Sequence, residues 1–411
     1  MTHKNIFMKE HLGWLSMLPA VLAVLLLTGC GGDDGLKDKE TTVVEINDDD
    51  DDNTTATIDD SYTYKLPVIF HVLYRDRNDP RQYVAASRLR EILNNVNELY
   101  QGGIYGQSQN INVKFVLAST DEQGRALSTP GVEYVQWPSN REYPINPYDF
   151  MGDNTGAFVG YIWEPLEFIN VMVYNFSDDS EDENTTLGVS HMPYSVEGSH
   201  VLEGLETVEY STLTKRNLKF PYCSSINSLY IDQESDRYTR EDKGAGGFEY
   251  CSTDVNVTIA HELGHYLGLH HMFTERNGAT ADDCFDSDYC EDTPSYNRVN
   301  YLSYLESYLN LHEATGEPLR LADLAKRIPC EGDIFYSANI MDYMVSLCYK
   351  FSVNQKERIR HVLYYSPLMP GPRKPDQSRS LMPSEAAPEG TVDLPIRMAV
   401  CRQRLIHHPI H

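Results

Sequence analysis

The run His261-Glu262-Leu263-Gly264-His265-Tyr266-Leu267-Gly268-Leu269-His270-His271 fits the pattern H-E-x-x-H-x-x-G-x-x-H. Residues four apart on a helix share a face, so His261 and His265 can offer imidazole nitrogens to one metal ion. His271 lies too far along to join them if the helix simply continues. Gly268 accepts the left-handed backbone angles at which helices stop, and His271 can then swing back to the metal. Three neutral imidazoles on Zn2+ leave the fourth tetrahedral position open to water, as in a catalytic rather than a structural site. Zinc lowers the pKa of such a water to about 7, and Glu262, directly after the first ligand, is placed to act as the base. His270 falls one residue short of the spacing and reads as a flanking residue.

Downstream, Asn339-Ile340-Met341-Asp342-Tyr343 resembles the Met-turn of the metzincins, a clan of zinc endopeptidases. Further residues resemble the pappalysin family within that clan: the N-x-M-x-Y turn itself, Cys348 shortly after it, and the segment Asp292-Thr293-Pro294. The run Phe351-Ser352-Val353-Asn354-Gln355-Lys356-Glu357-Arg358-Ile359 is similar to that family's F-[ST]-x-x-Q-x-x-R-[IM]. The resemblance covers roughly residues 62 to 368. It implies one catalytic zinc, protein or peptide substrates, Met341 as an apolar floor beneath the histidines, and Tyr343 as a hydrogen-bond donor to the oxyanion of the tetrahedral intermediate. Taken alone, Tyr343 could equally be a packed aromatic in a chain with 28 tyrosines and 13 phenylalanines. Two other functions stay open: a zinc-bearing but non-catalytic binding lipoprotein, and a zinc hydrolase acting on a non-peptide amide.

The elements that must position these residues read as α+β. Residues 66–74 form an apolar strand, with Pro67 suggesting an edge or bulge, and His71 reads as a strand residue rather than a ligand. Leu89, Ile92, Leu93, Val96 and Leu99 fall at helical spacing within 84–100, and Gly102-Gly103 end that helix. Strands are expected at 111–118, 168–176 and 228–232, and Asp254 is a fitting N-cap for the histidine-bearing helix. Residues 187–193 are the candidate edge strand that would pair with a substrate backbone. Helical patterning recurs at 301–311, 319–328 and 354–364. The resemblance implies a metzincin-like fold over 62–369. Its upper subdomain (about 62–268) holds a twisted mixed sheet with backing and active-site helices. Its lower subdomain (about 269–369) is irregular, with helices and the Met-turn. The tail, 370–411, reads as loosely ordered, with residues 394–397 able to return to a sheet edge.

Residues 1–29 read as a signal peptide: Lys4 and Lys9 precede a short apolar core, Trp14 to Leu27. Leu27-Thr28-Gly29-Cys30 resembles the lipobox of bacterial lipoproteins, which implies lipid on Cys30 and attachment to a bacterial outer membrane or cell surface without spanning it. An ordinary secreted protein with an incidental Cys30 is the alternative. Residues 30–61, with five consecutive aspartates from Asp48, read as an acidic flexible tether. An aspartate that reaches the zinc and keeps the enzyme latent is a sharper reading of the same run. A formal net charge of −27 argues against nucleic acid, which demands basic patches. The chain is expected to act as a monomer.

Export makes disulfides permissible for the cysteines other than Cys30. Cys223 and Cys251 flank the loop before the active-site helix. Cys284, Cys290, Cys330 and Cys348 straddle the Met-turn. Four cysteines allow three connectivities, of which the family resemblance implies Cys284 with Cys330 and Cys290 with Cys348. Cys401 is left over, a thiol in the tail. Asp282, Asp283, Asp286, Asp288, Glu291 and Asp292 crowd the loop after the third histidine, hard oxygen donors that would suit Ca2+ or simply a solvated acidic loop.

Overall fold

The computed structural model describes residues 61–177, 184–198, 200–232, 254–343, 345–370 and 386–404. The signal peptide, Cys30, nearly all of the acidic tether and Cys251 lie outside the described residues. The central element is strand β1 (Tyr64–Tyr74), whose residues from Val68 to Leu73 are all buried. It pairs in parallel with β2 (Val113–Leu117) and β3 (Val132–Gln136) and with β4 (Ile169–Tyr174). Buried neighbours explain why β1 and β4 read as continuous apolar runs rather than alternating ones. Pro67 therefore lies in a central strand, not an edge. It is tolerated because pairing with β4 begins only at Val68, so the missing N–H falls where no β4 acceptor faces it.

Beyond β4 the sheet continues through β6 (Ser224–Asn227), parallel to β4, and then β5 (Asn184–His191), antiparallel to β6. The outermost strand is β7 (Met398–Arg404), antiparallel to β5. This corrects one expectation: the segment 187–193 is not a free edge. The tail does return to the sheet, at Met398–Arg404, directly after the 394–397 segment read as able to do so. The strand placed at 228–232 also ends earlier, at Asn227. There the Asn227 side chain accepts from Leu229 N and turns the chain into a short 3-10 helix at Ser228–Tyr230.

Two helices back the sheet and each other. Helix α1 (Ala86–Gln101) buries Leu89, Ile92, Leu93, Val96 and Leu99, as its periodicity required, and stops at Gly102 with φ +70°. Each such aliphatic side chain contributes about 1.5–3 kcal/mol on burial. Helix α2 (Val255–Tyr266) carries the histidine pair and starts at Asp254, whose carboxylate accepts from Asn256 N. The Tyr100 hydroxyl of α1 donates to the Ala260 carbonyl of α2, 3.0 Å away, which fixes one helix against the other.

Two further long helices are α3 (Arg298–Thr315) and α4 (Val353–Tyr365), and short turns of helix stand at Pro147–Gly152 and Leu321–Ala325. The second stretch of helical patterning is thus cut short. Its end, Lys326–Arg327, pairs with Phe335–Tyr336 as a two-stranded ribbon, because Arg327 is drawn into the interior by an ion pair described below. A disulfide joins Cys284 to Cys330. No helix among the described residues is long and apolar enough to cross a membrane.

Candidate active site

Helix α2 ends where the sequence requires. Leu267 is its C-cap, Gly268 takes φ +92°, and Gly268 N and Leu269 N return to the carbonyls of His265 and Gly264. A Cβ on Gly268 would also stand 2.6 Å from Val362, so glycine is needed there for space as well as for angle. The turn brings His271 back, and the Nε2 atoms of His261, His265 and His271 lie 3.0–3.2 Å from one another.

The far nitrogen of each ring decides what these three atoms carry. His261 Nδ1 faces the Ile340 carbonyl at 2.7 Å, His265 Nδ1 the Leu269 carbonyl at 2.8 Å, and His271 Nδ1 the Glu275 carboxylate at 2.8 Å. All three partners only accept, so each Nδ1 must hold the proton and each Nε2 is a bare lone pair. Three converging lone pairs repel unless a cation sits among them. A tetrahedral zinc with bonds of about 2.0–2.1 Å spaces its ligands by about 3.3 Å, so the triad fits the ion. Burial keeps His261 and His265 neutral: His261 is pushed down to about 3 and His265 well below its ordinary value. Neutral imidazole is the form a metal needs. His270 stands outside the group, edge-on to Tyr289.

The floor of the site is the Met-turn. Asn339 Oδ1 accepts from Met341 N at 2.8 Å and from Gln355 Nε2 at 3.1 Å, while Asn339 Nδ2 donates to Gln355 Oε1. Gln355 is at the same time the third residue of a capping box with Ser352 at the start of α4. Met341 lies against α2: a Cβ on Gly264 would stand 2.5 Å from its sulfur. Asp342 is fully buried and accepts from the Tyr296 hydroxyl at 2.6 Å, from Tyr343 N at 2.7 Å, and from the Ser337 hydroxyl. Arg327 pairs with it at 3.3 Å and lies 3.6 Å from the centre of the Tyr301 ring. Tyr343 stands edge-on to His271, with ring centres 4.5 Å apart.

Above the histidines stands Glu262. Neither carboxylate oxygen has a hydrogen-bond partner, although the residue is wholly buried. Burial pushes its carboxyl well above the usual range, opposed in part by Ser190, whose hydroxyl donates to the Glu262 backbone carbonyl at 2.9 Å. Gly188 of β5 makes room for this side chain, since a Cβ there would stand 2.5 Å from both Glu262 Cγ and Oε1.

Several residues of the site were not visible in the sequence. Glu275 orients the third histidine, and only its place four residues after His271 hinted at this. Arg298 is buried with its guanidinium 4.4 Å from the Tyr343 ring centre, and its Nη1 has no partner. Cys401 is buried, and its sulfur, a His261 nitrogen and a Glu262 oxygen lie within 4.8 Å of one another. The expected thiol in a loose tail is instead beside the zinc ligands.

One expectation fails here and another finds no support. The Cys290–Cys348 bridge is not formed; Cys290 is a buried thiol. Cys290 lies among the charges of Asp288 and Arg358, whereas Cys348 lies toward Cys401. The calcium expectation finds no support: no three carboxylates of the acidic loop converge among the described residues. Their oxygens are committed elsewhere. Asp282 accepts from Asn297, Asp283 pairs with Arg276, and Asp286 and Asp288 accept from backbone amides of their own loop. Asp292 accepts from Val353 N and Asn354 N at the start of α4, and Glu291 is exposed. Cys223 is buried, and its expected partner Cys251 is outside the described residues.

Residues 244–364 match a peptidase family model described as Pregnancy-associated plasma protein-A. No curated protein matches the chain. Among solved structures the chain is similar to Tannerella forsythia mature mirolysin in complex with a cleaved peptide, at 20% identity and a TM-score of 0.47, over 74% of this chain and 92% of that one. It is similar also to a Tannerella forsythia promirolysin mutant, at 18% identity and a TM-score of 0.44, over 74% and 81%. These likenesses are remote and carry no further weight. The family match spans the histidine run, the Met-turn and Tyr343, the same residues that the fold gathers around three bare nitrogens and an unpartnered carboxylate. With sequence family and site chemistry agreeing over that segment, the chain is a zinc metallopeptidase.

Proposed function

We propose that the protein is a metzincin endopeptidase of the pappalysin type, held to a bacterial outer membrane or cell surface by lipid on Cys30 and cutting protein or peptide chains internally. The observation that carries the enzymatic reading is the convergence of three deprotonated Nε2 atoms beneath a buried carboxylate with no partner of its own. Zinc bound by His261, His265 and His271 supplies a Lewis acid for the scissile carbonyl, makes water acidic, and favours the ionised form of a nearby carboxylate. Glu262 takes the proton of the attacking water and passes it to the departing amine nitrogen. Tyr343, beside His271 and His261, donates to the oxygen on which negative charge develops. Ile340, Leu269 and Glu275 hold the three rings in the tautomer that leaves Nε2 free.

The test is to incubate the zinc-loaded protein with a mixed peptide pool and map cleavage by mass spectrometry, with and without a chelator. Internal cleavage that the chelator stops is the expected result. Release of single terminal residues, or no cleavage by the zinc-loaded protein, overturns it. Membrane attachment is tested by Cys30→Ala, which should move the protein from the membrane fraction to the soluble one. The motif Leu27-Thr28-Gly29-Cys30 supports that reading.

A further inference from the structure

Four arginines are buried among the described residues, and three of them have partners. Arg327 pairs with Asp342 and donates to the Leu324 and Val345 carbonyls. Arg358 donates to the Gly268 and Glu203 carbonyls, and Arg360 to that of Ile111. Arg298 differs. It is 4% exposed, its guanidinium donates to no group and pairs with no carboxylate among the described residues, and Nη1 is shut off from solvent without a partner. Its place in the chain offers no compensation either. Arg298 is the first residue of α3, the end at which a helix presents positive charge, and no acidic residue stands in that first turn. What it does touch are rings: its guanidinium carbon lies 4.8 Å from the centre of Phe273 and 4.4 Å from that of Tyr343. Phe273 stacks on His271 at 4.8 Å, and Tyr343 stands edge-on to the same histidine. Rings attract the cation but do not replace a carboxylate, which takes two of its N–H groups at once. A buried charge without a partner is strongly unfavourable, and this one is a single ring contact away from a zinc ligand.

We propose that Arg298 is a specificity residue: it receives the side-chain carboxylate of an aspartate or glutamate that flanks the scissile bond of the substrate. The proposal rests on the zinc-peptidase reading of the same site and names the class of peptide that the site prefers. Carboxylate and guanidinium meet there as a two-pronged pair away from water, where a charge-assisted bond is strongest. Arg298 lies against Tyr343 and Phe273 rather than among the metal ligands. Its ion pair therefore selects which peptide bond is presented and takes no proton in the reaction. The chain's formal net charge of −27 opposes acidic peptides at long range, where salt screens it; the preference arises at contact.

The experiment uses the zinc-loaded full chain and begins without a variant. A mixed peptide pool is digested and the residues on either side of each cut are counted. Asp and Glu should outnumber Asn and Gln roughly tenfold on one side of the bond. No enrichment on either side overturns the proposal and leaves the peptidase reading intact, whereas a parent that cuts nothing sinks both. A peptide cut at such a bond is then compared with its twin carrying Gln in place of Glu. In the parent, kcat/KM should favour the Glu peptide by roughly tenfold or more. Arg298→Gln should bring that ratio close to one, Arg298→Lys should retain part of it, and Arg298→Glu should turn the preference toward a Lys peptide. A merely structural arginine would slow both twins alike and leave their ratio where it was, and that result overturns the proposal. Should the variants fail to fold, the count of cut sites in the parent decides alone.

Discussion

The floor and the roof of the metal site are built on opposite terms. On the floor, Ile340, Leu269 and Glu275 take the three ring protons, Asn339 and Gln355 bond each other twice, and Asp342 pairs with Arg327, whose Nε is the atom of this group left without a partner. On the roof, Glu262 has two unpartnered oxygens, Gln403 has an unpartnered Oε1, and Cys401 leans in from a strand at the far end of the chain. Fully satisfied buried polar networks rigidify a structure, and buried groups without partners call for something that completes them. The floor is therefore the fixed half, shaped to hold one ion. The roof is the half whose occupants exchange.

The sharpest way to break this division is at Glu262. Glu262→Ala should cut peptide turnover by about 10²- to 10⁴-fold while zinc per chain stays at one; loss of the metal would mean that the roof helps to hold it. On the floor, Arg327→Ala strips a buried aspartate of its ion partner and should cost about 3–5 kcal/mol of stability, read from urea unfolding. A loss within experimental error would show that Asp342 is held well enough by its hydroxyl and amide donors alone.

His191 sharpens the contrast through pH. Burial pushes its pKa from 6.5 down to about 4, opposed in part by its hydrogen bonds with the Cys223 and Met151 carbonyls. The folded protein keeps this ring neutral, whereas the unfolded chain takes up a proton below about 6.5. Stability from this residue is thus complete above that pH and lost as pH falls toward 4, by about 3 kcal/mol in all. His191→Gln should flatten the melting temperature over this range, and an unchanged acid limb would place the titration elsewhere. The smallest effect is expected at Glu275. Glu275→Gln keeps an acceptor for His271 but removes its charge, and should weaken zinc affinity by about 10-fold, measurable by competition with a chelator.

What could be read from the sequence was whatever depends on short spacing. The histidine pair, the helix-ending Gly268, the Asp254 cap and the apolar face of α1 are each fixed by residues within a few turns of one another. Met341 and Tyr343 came through a motif rather than through geometry. The rest depends on pairings between distant segments, for which local pattern holds no signal. Nothing near Gly188 announces that a glutamate 74 positions later needs its missing Cβ. Nothing near Arg327 names Asp342 as its partner, so the residue read as the end of an exposed helix. Cys401 looked like a remainder because its strand pairs with a segment more than two hundred residues earlier. In the acidic loop the carboxylate density was visible, but the amides and the arginine that partner it were not.

Gln355 ties two processes that are separate in most proteins. The same side-chain amide steadies the opening turn of α4 and clasps Asn339 beneath the histidines. Thermal fraying of that turn accordingly lets go of the methionine shelf while the sheet is still intact. Zinc should then leave the heated protein before the strands melt, and whatever stiffens the beginning of one surface helix will also lengthen the lifetime of the bound ion.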